Sequence, residues 1–379
     1  MDKTFLILGG YGNTGRSIAQ LLLKVTNVNI LIAGRDIEKA KTQAFILNQE
    51  YYGHRVSAMR VDAADSQSLH TAFAEADLVV VASSSSEYVE NVARAAIYAG
   101  IDYFDTQLST VIKLKTLYAL EAEIIKSGCT FVTDGGFHPG VPAALIRYAA
   151  TFFDEIRSAN VGSVIKLDWK NLKFSASTAR EMVREFKDYR PLALKNGNWI
   201  RVKYGDFPTF HFGEEFGEQR CSPMFLEELR SLSEQYPTLH DTGFYVGGFN
   251  WFVDYITIPV AMVTLNFFPG IAEPPLAKMF EWGLNTFSKA PFGTMLQLDA
   301  SGMENDLQKS KRFRLFHEDA YMLTSIPVVA CLFQYLEGNF SAPGLGFQAN
   351  IVEPVKFLRD IEKLGVQFEF EEVDQAQTI

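Results

Sequence analysis

A chain of 379 residues, 47 % hydrophobic and 21 % charged, is long enough for two globular domains with a buried core in each. A formal net charge of −10 and an isoelectric point near 5.2 argue against a nucleic-acid partner, whose phosphates call for a basic face. Cys129, Cys221 and Cys331 stand far apart with no C-x-x-C spacing, which suggests neither a disulfide framework nor a metal site and fits a reducing cytoplasm.

The N-terminal apolar run is too short for a signal peptide and reads as a first strand, Phe5-Leu6-Ile7-Leu8. Gly10, Gly12 and Gly15 follow at once, and Ile18, Leu21, Leu22 and Val25 then recur at helical spacing. A strand, a glycine-rich turn and a helix in this order form a dinucleotide site. Gly10 permits the sharp turn, Gly12 lets a pyrophosphate approach the backbone, and Gly15 lets the helix pack on the sheet. Tyr11, Asn13 and Thr14 lie between these glycines and join them as candidate cofactor contacts, at a helix N-terminus whose dipole favours phosphate.

Val28–Ala33 reads as a second buried strand, followed by Gly34-Arg35-Asp36. An NAD-specific site would place an acidic residue at this strand end to hold the ribose 2′-hydroxyl. Gly34 stands there instead, and Arg35 beside it favours a 2′-phosphate, hence NADP rather than NAD. Asp36 is suited to cap a helix reaching Gln49. A third strand, Arg55–Val61, leads to Asp62, which is placed either to reach an adenine amino group or simply to form a turn; Ser66 can cap the next helix. The fourth strand, Asp77–Ala82, opens onto Ser83 and Ser84. Loops at the carboxyl ends of parallel strands are where ligands lie, so these serines are candidates for the nicotinamide ribose. A helix from Glu87 to Gly100, a strand at Asp102–Asp105, a helix at Leu108–Ser127 and a strand at Cys129–Thr133 complete six alternations. The fold class is therefore α/β, with a doubly wound parallel sheet of Rossmann type.

Residues 134–142, Asp-Gly-Gly-Phe-His-Pro-Gly-Val-Pro, form a second turn-rich loop opening onto a helix, with Pro142 in its first turn. His138 in this loop is the candidate catalytic residue, and Gly140 is a candidate for bringing backbone amides close to the ligand.

Together, Gly10-Tyr-Gly-Asn-Thr-Gly15, Ala33-Gly34-Arg35, Tyr103-Phe104-Asp105 and Gly136-Phe-His-Pro-Gly-Val-Pro142 resemble the saccharopine dehydrogenase-like oxidoreductases, including the saccharopine reductase branch. The run from His317 to the end is also similar to that family's closing segment. The family's second loop is usually G-x-D-P-G, so His138 stands where an aspartate is expected. The resemblance implies an NADP cofactor and a second domain that covers the nicotinamide end and makes a dimer.

From about residue 155 the pattern changes. Ile156–Leu167 and Leu172–Ser175 read as strands of a mixed or antiparallel sheet, with a helix near Thr178–Phe186, and Asn196-Gly197-Asn198 is a hairpin signal. Lys170, Lys173, Arg180, Arg184, Arg190 and Arg201 are candidates for holding substrate carboxylates, or are simply solvated. Phe244–Ala272 contains one charged residue, Asp254. That length suffices to span a bilayer, but glycines, a proline and polar residues break it. Buried strands, a dimer interface or an aromatic pocket are the favoured readings, with membrane-surface contact kept as an alternative.

The sequence thus describes an NADP-binding Rossmann domain at 1–135, a mixed α/β substrate and dimerisation domain at 136–330, and a C-terminal segment at 331–379 that packs back on the first domain. The expected function is a cytoplasmic, homodimeric oxidoreductase acting on a small-molecule imine, carbonyl or enoyl substrate. A non-catalytic NADP(H)-binding redox sensor and a membrane-peripheral reductase of lipid-like substrates are the alternatives.

Overall fold

Near-continuous aliphatic runs are the mark of parallel strands covered on both faces. β1 (Thr4–Leu8), β2 (Asn29–Gly34) and β4 (Leu78–Val81) have this character, and their side chains are buried almost throughout. They lie at the centre of an all-parallel sheet, with β3 (Val56–Arg60) at one edge and β5 (Asp102–Asp105) and β6 (Thr130–Thr133) on the other side. The strand order 6-5-4-1-2-3 reverses direction between β1 and β4, which creates the crevice where open sheets of this type bind ligands. The computed structural model describes residues 2–374 except 173–178, 181, 184–185, 187–188 and 341.

The connecting helices are α1 (Asn13–Val25), α2 (Ile37–Glu50), α3 (Ser66–Phe73), α4 (Val89–Ala99), α5 (Val111–Ser127) and α6 (Pro142–Ala150). Their ends follow local chemistry. Asp36 caps α2 by accepting from the amides of Glu38 and Lys39, and Gly100 and Gly128 take the left-handed conformation that closes α4 and α5. The cap of α3 is Asp65, which accepts from Gln67 and Ser68, and Ser66 is already helical. A carboxylate is at least as good a cap as a hydroxyl, and Asp65 comes one residue earlier.

The chain divides into two compact units. One comprises residues up to Ala144 together with Tyr321–Leu364; the other comprises Leu145–Ala320 together with the chain from Gly365 onward. Residues 136–144 and 321–330 therefore group with the dinucleotide-type unit, and the last strand groups with the second unit, where the sequence drew borders at 135 and 330. The reason is pairing. Gly344–Phe347, a glycine-rich stretch with no strand signal of its own, adds a seventh parallel strand beside β6, while Gln367–Val373 pairs antiparallel with Leu307–His317. The helix Ala320–Leu336 is anchored to the first unit by the Tyr335 hydroxyl, which donates to Asp102 at 2.6 Å and accepts from Lys3 at 2.9 Å.

In the second unit a mixed sheet forms around β7 (Glu155–Lys166), which pairs parallel with Asp241–Gly247 and antiparallel with Gly293–Glu304. The Asn196-Gly197 signal forms a two-residue turn with positive φ at both positions, joining β8 (Leu192–Lys195) to β9 (Asn198–Arg201). Of Phe244–Ala272 only the start is a strand. Gly248, at φ +83°, ends it, and the Asn250 carboxamide then accepts from the amides of Phe252 and Val253 and starts a helical hairpin through Ile258–Phe267 and Pro269–Phe287. No helix among the described residues is long and apolar enough to cross a membrane. The proposed strand at Leu172–Ser175 and much of the helix near Thr178–Phe186, with Lys173 and Arg184, lie outside the described residues.

Candidate functional site

The glycine loop is built as its sequence requires. A β-carbon at Gly15 would lie 2.4 Å from the Gly9 carbonyl oxygen and one at Gly10 would lie 2.9 Å from that of Ile7, so both positions are fixed by packing. Gly12 is different. The nearest atom to a β-carbon there is the Gly9 oxygen at 3.2 Å, and the residue is exposed, so packing constrains this position least and its surface faces outward. Gly12 is the N-cap of α1 and no side chain caps that helix. Its first-turn amides, with exposed Asn13 and half-buried Thr14 beside them, form the kind of helix N-terminus that can receive a phosphate.

At the end of β2, Arg35 is exposed while Asp36 is occupied as the α2 cap. Its carboxyl is held below the usual range, first by the Lys39 amide. The acid next to Arg35 therefore faces helix amides and not a ribose 2′-hydroxyl. Tyr11 bridges the two loops through its hydroxyl, which accepts from the Asp36 amide at 3.2 Å. Tyr88, after β4, faces the same corner. Its phenol is pushed above its ordinary value chiefly by Glu87 and to a lesser degree by Asp62, with Arg35 pulling the other way. Asp62 itself accepts from the Ala64 amide at 3.1 Å, which is the turn-forming role. These features fit a 2′-phosphorylated dinucleotide: a bare cradle for the pyrophosphate, a cation at the end of β2, and Asp36 at that strand end engaged as a helix cap.

Ser83 and Ser84 lie at the carboxyl end of β4, with Ser84 exposed and the Ser83 hydroxyl 2.8 Å from that of Ser85. The His138 loop leaves the same edge of the sheet from β6. It is fixed by Gln348, fully buried, whose carboxamide accepts from the Gly136 amide at 3.2 Å and donates to the carbonyls of Gly136 and Gly140 at 3.0 and 3.1 Å. Gly140, at φ +118°, is needed for this closure, because a β-carbon would lie 2.6 Å from both the Gly136 oxygen and the Gln348 nitrogen. The loop's own folding explains this glycine. The His138 ring, half-buried and 5.1 Å from that of Phe137, has its pKa pushed down to about 4 by desolvation, so the imidazole is neutral at physiological pH.

Beneath the loop lies a charged cluster that sequence patterns did not reveal. Lys113, Asp105 and Asp134 are all 0 % exposed, with Lys113 Nζ 2.9 Å from Asp105 Oδ1 and 2.6 Å from Asp134 Oδ1. Tyr103 and Thr133 donate their hydroxyls to Asp105, and Ser109 donates to Asp134. Desolvation presses the ammonium toward neutrality, but the two carboxylates outweigh it and keep Lys113 charged. One cation serves two acids, and burial leaves Asp134 above the ordinary aspartate value. In sequence, Lys113 appears as one lysine on an amphipathic helix; only the pairing of β5 with β6 brings the two aspartates beneath it.

Residues 5–132 match the family model described as the saccharopine dehydrogenase NADP binding domain. The apo saccharopine dehydrogenase (L-Glu forming) of Saccharomyces cerevisiae superposes with a TM-score of 0.70 at 15 % identity, covering 98 % of this chain and 100 % of that one. The DAP dehydrogenase of C. glutamicum in complex with DAP reaches 0.47 at 12 % identity, covering 96 % and 98 %. A highly reducing polyketide synthase of Aspergillus terreus is 32 % identical over 68 residues, a match spanning 18 % of this chain and 3 % of that protein. The fold is the two-domain α/β fold of that yeast structure, and the first domain is an NADP-binding domain. More narrowly, residues 5–132 carry the saccharopine dehydrogenase-type NADP binding domain, a likeness to that family over about a third of the chain.

Proposed function

We propose that this protein is an NADP-dependent oxidoreductase that moves a hydride between NADP(H) and the carbon of an imine, carbonyl or enoyl group. The observation that carries this reading is that the glycine cradle after β1, the basic end of β2 and the His138 loop after β6 all leave one edge of one sheet. NADP, when bound, supplies or accepts the hydride. The protein's part is placement: α1 amides and Gly12 on the pyrophosphate, Arg35 on the 2′-phosphate, and Ser83 and Ser84 on the nicotinamide ribose. His138, neutral near pH 7, donates a hydrogen bond to the heteroatom beside the reacting carbon in reduction. The proton that accompanies the hydride comes from water in reduction and returns to water in oxidation, so the ring stays neutral in both directions.

A neutral imidazole attracts a substrate ammonium poorly where the family's aspartate would attract it well. The substrate therefore carries a less cationic reacting group, and saccharopine is made or cleaved inefficiently. Oxidation of NADPH by the purified protein with a panel of imines, 2-oxo acids and enoyl compounds tests the reading. Tight NADPH binding with no turnover across the panel would favour the redox-sensor alternative.

Assembly as a cytoplasmic homodimer is part of the same proposal. Val263, Phe267, Phe268 and Ile271 on the helical hairpin are 60–80 % exposed, a patch expected to be covered by a second copy. Sedimentation should find a dimer; a monodisperse monomer, or flotation with liposomes, would point to the lipid-facing alternative.

A further inference from the structure

The ends of β4, β5 and β6 are tied together through one residue that the dinucleotide motif does not include. Gln107 follows β5. Its amide donates to Asp105 Oδ1 at 3.0 Å, and its carbonyl accepts from the buried Lys113 ammonium. Its side-chain nitrogen donates to the Ser83 carbonyl at 2.9 Å and lies 3.4 Å from the Ser85 hydroxyl. A carbonyl only accepts, so the Ser83 contact fixes which end of the carboxamide is nitrogen. The oxygen, Oε1, is the end left over. It is buried, and it has no hydrogen-bond partner among the described residues.

Buried polar atoms are nearly always matched, so a carboxamide held by its nitrogen at Ser83 and Ser85, on a backbone tied to Asp105 and Lys113, with its one acceptor unmatched, is arranged to receive a donor from outside the chain. Its place is informative. Gln107 is gripped by Ser83 at the carboxyl end of β4, beside exposed Ser84, on the side of the sheet's switch point where a dinucleotide lays its nicotinamide half. That half carries the needed donors, the ribose hydroxyls and the carboxamide N–H; the adenosine half lies toward Arg35. We propose that Gln107 Oε1 accepts a hydrogen bond from the nicotinamide-ribosyl half of NADP, and that Lys113 is the positioning residue that holds Gln107 in place for it. The proposal rests on the NADP site described above.

The test is binding of the full-length chain to two probes, NADPH and adenosine 2′,5′-bisphosphate, which lacks the nicotinamide ribose. Gln107→Leu should weaken NADPH roughly 3- to 10-fold, the size of one neutral hydrogen bond, and leave the bisphosphate within twofold. Lys113→Met should show the same split. Should that variant fail to fold, Gln107→Leu carries the test alone. Equal weakening of both probes would make Gln107 a structural residue, and no change in either would mean that water satisfies the amide; each result overturns the proposal. Failure of the unmutated chain to bind the bisphosphate would overturn the NADP reading itself and this proposal with it. The 3-acetylpyridine analogue of NADPH, which lacks the carboxamide N–H, identifies the donor. If Gln107→Leu no longer weakens this analogue, the carboxamide is the partner; if it still does, a ribose hydroxyl is.

Discussion

The ring of Tyr11 lies so close over Gly34 that a β-carbon at position 34 would fall 2.5 Å from its Cε1. The loop after β1 and the end of β2 are thereby one surface, clasped by the Tyr11 hydroxyl on the Asp36 amide. A side chain at 34 has to displace the ring or the strand. Gly34→Ala should cost about 1–3 kcal/mol of stability, as overpacking does, and weaken NADPH binding by moving Arg35. In a Tyr11→Ala background the cost should fall below about 1 kcal/mol, because the clash is gone. Urea unfolding of the four chains measures the coupling, and equal costs in both backgrounds would separate the two residues.

Cofactor choice rests on Arg35, which is exposed at the end of β2 while the neighbouring Asp36 is engaged as the α2 cap. A charge-assisted hydrogen bond contributes about 1.5–3 kcal/mol, so Arg35→Ala should weaken NADPH about 10- to 150-fold and leave NADH little changed. Titration calorimetry with both cofactors decides this, and equal affinity of the unmutated protein for the two would show the assignment wrong.

Removing the one cation from the cluster leaves two buried carboxylates facing each other. Lys113→Met should destabilise the chain by about 3–5 kcal/mol at neutral pH. The sign of its pH dependence follows from Asp134, whose pKa is already raised by burial. An acid that is harder to ionise folded than unfolded costs stability as pH rises above its unfolded value, and without Lys113 it is harder still. The deficit should therefore be smaller at about pH 5 than at about pH 8 in denaturation curves, and Asp134→Asn in the same chain should recover part of it.

The strands, the glycine turn and the caps at Asp36 and Gly100 were legible because each depends on a few neighbouring residues. The seventh parallel strand at Gly344–Phe347 was not, since its only reason to be extended is the free edge of β6. For the same reason the site was half visible. Gly12, Arg35 and His138 sit in recognisable local patterns, whereas Lys113, Gln107 and Gln348 act on residues that only the fold brings near them. Gln348 reaches Gly136 across 212 residues of sequence, and nothing in the spacing foretells it. The signal that was available is weak: Asp105 and Asp134 each end an apolar strand, where a carboxylate needs a partner.

His138 offers a prediction in which stability and catalysis test the same physical claim. Its pKa of about 4 lies below the ordinary 6.5 because burial disfavours the imidazolium. Above about pH 6.5 the ring is neutral in both folded and unfolded chains and adds no pH dependence. Between about 6.5 and 4 the unfolded chain binds a proton that the folded chain refuses, so stability falls with pH by up to about 1.4 kcal/mol per unit, roughly 3 kcal/mol in all. Carboxylates contribute their own slopes, so the quantity to measure is the difference between the unmutated protein and His138→Gln, whose side chain does not titrate. That difference should open below about pH 6.5 and level off near pH 4. The same neutral ring predicts that turnover on the true substrate does not fall as pH drops from about 7 to 5 on account of His138. His138→Ala should lower kcat about 10²-fold while NADPH affinity stays within a few-fold. An inflection near pH 6.5 that disappears with the histidine would show that it works as an imidazolium. Full activity in the alanine variant would leave the His-Pro-Gly turn as a shape element held by Gln348.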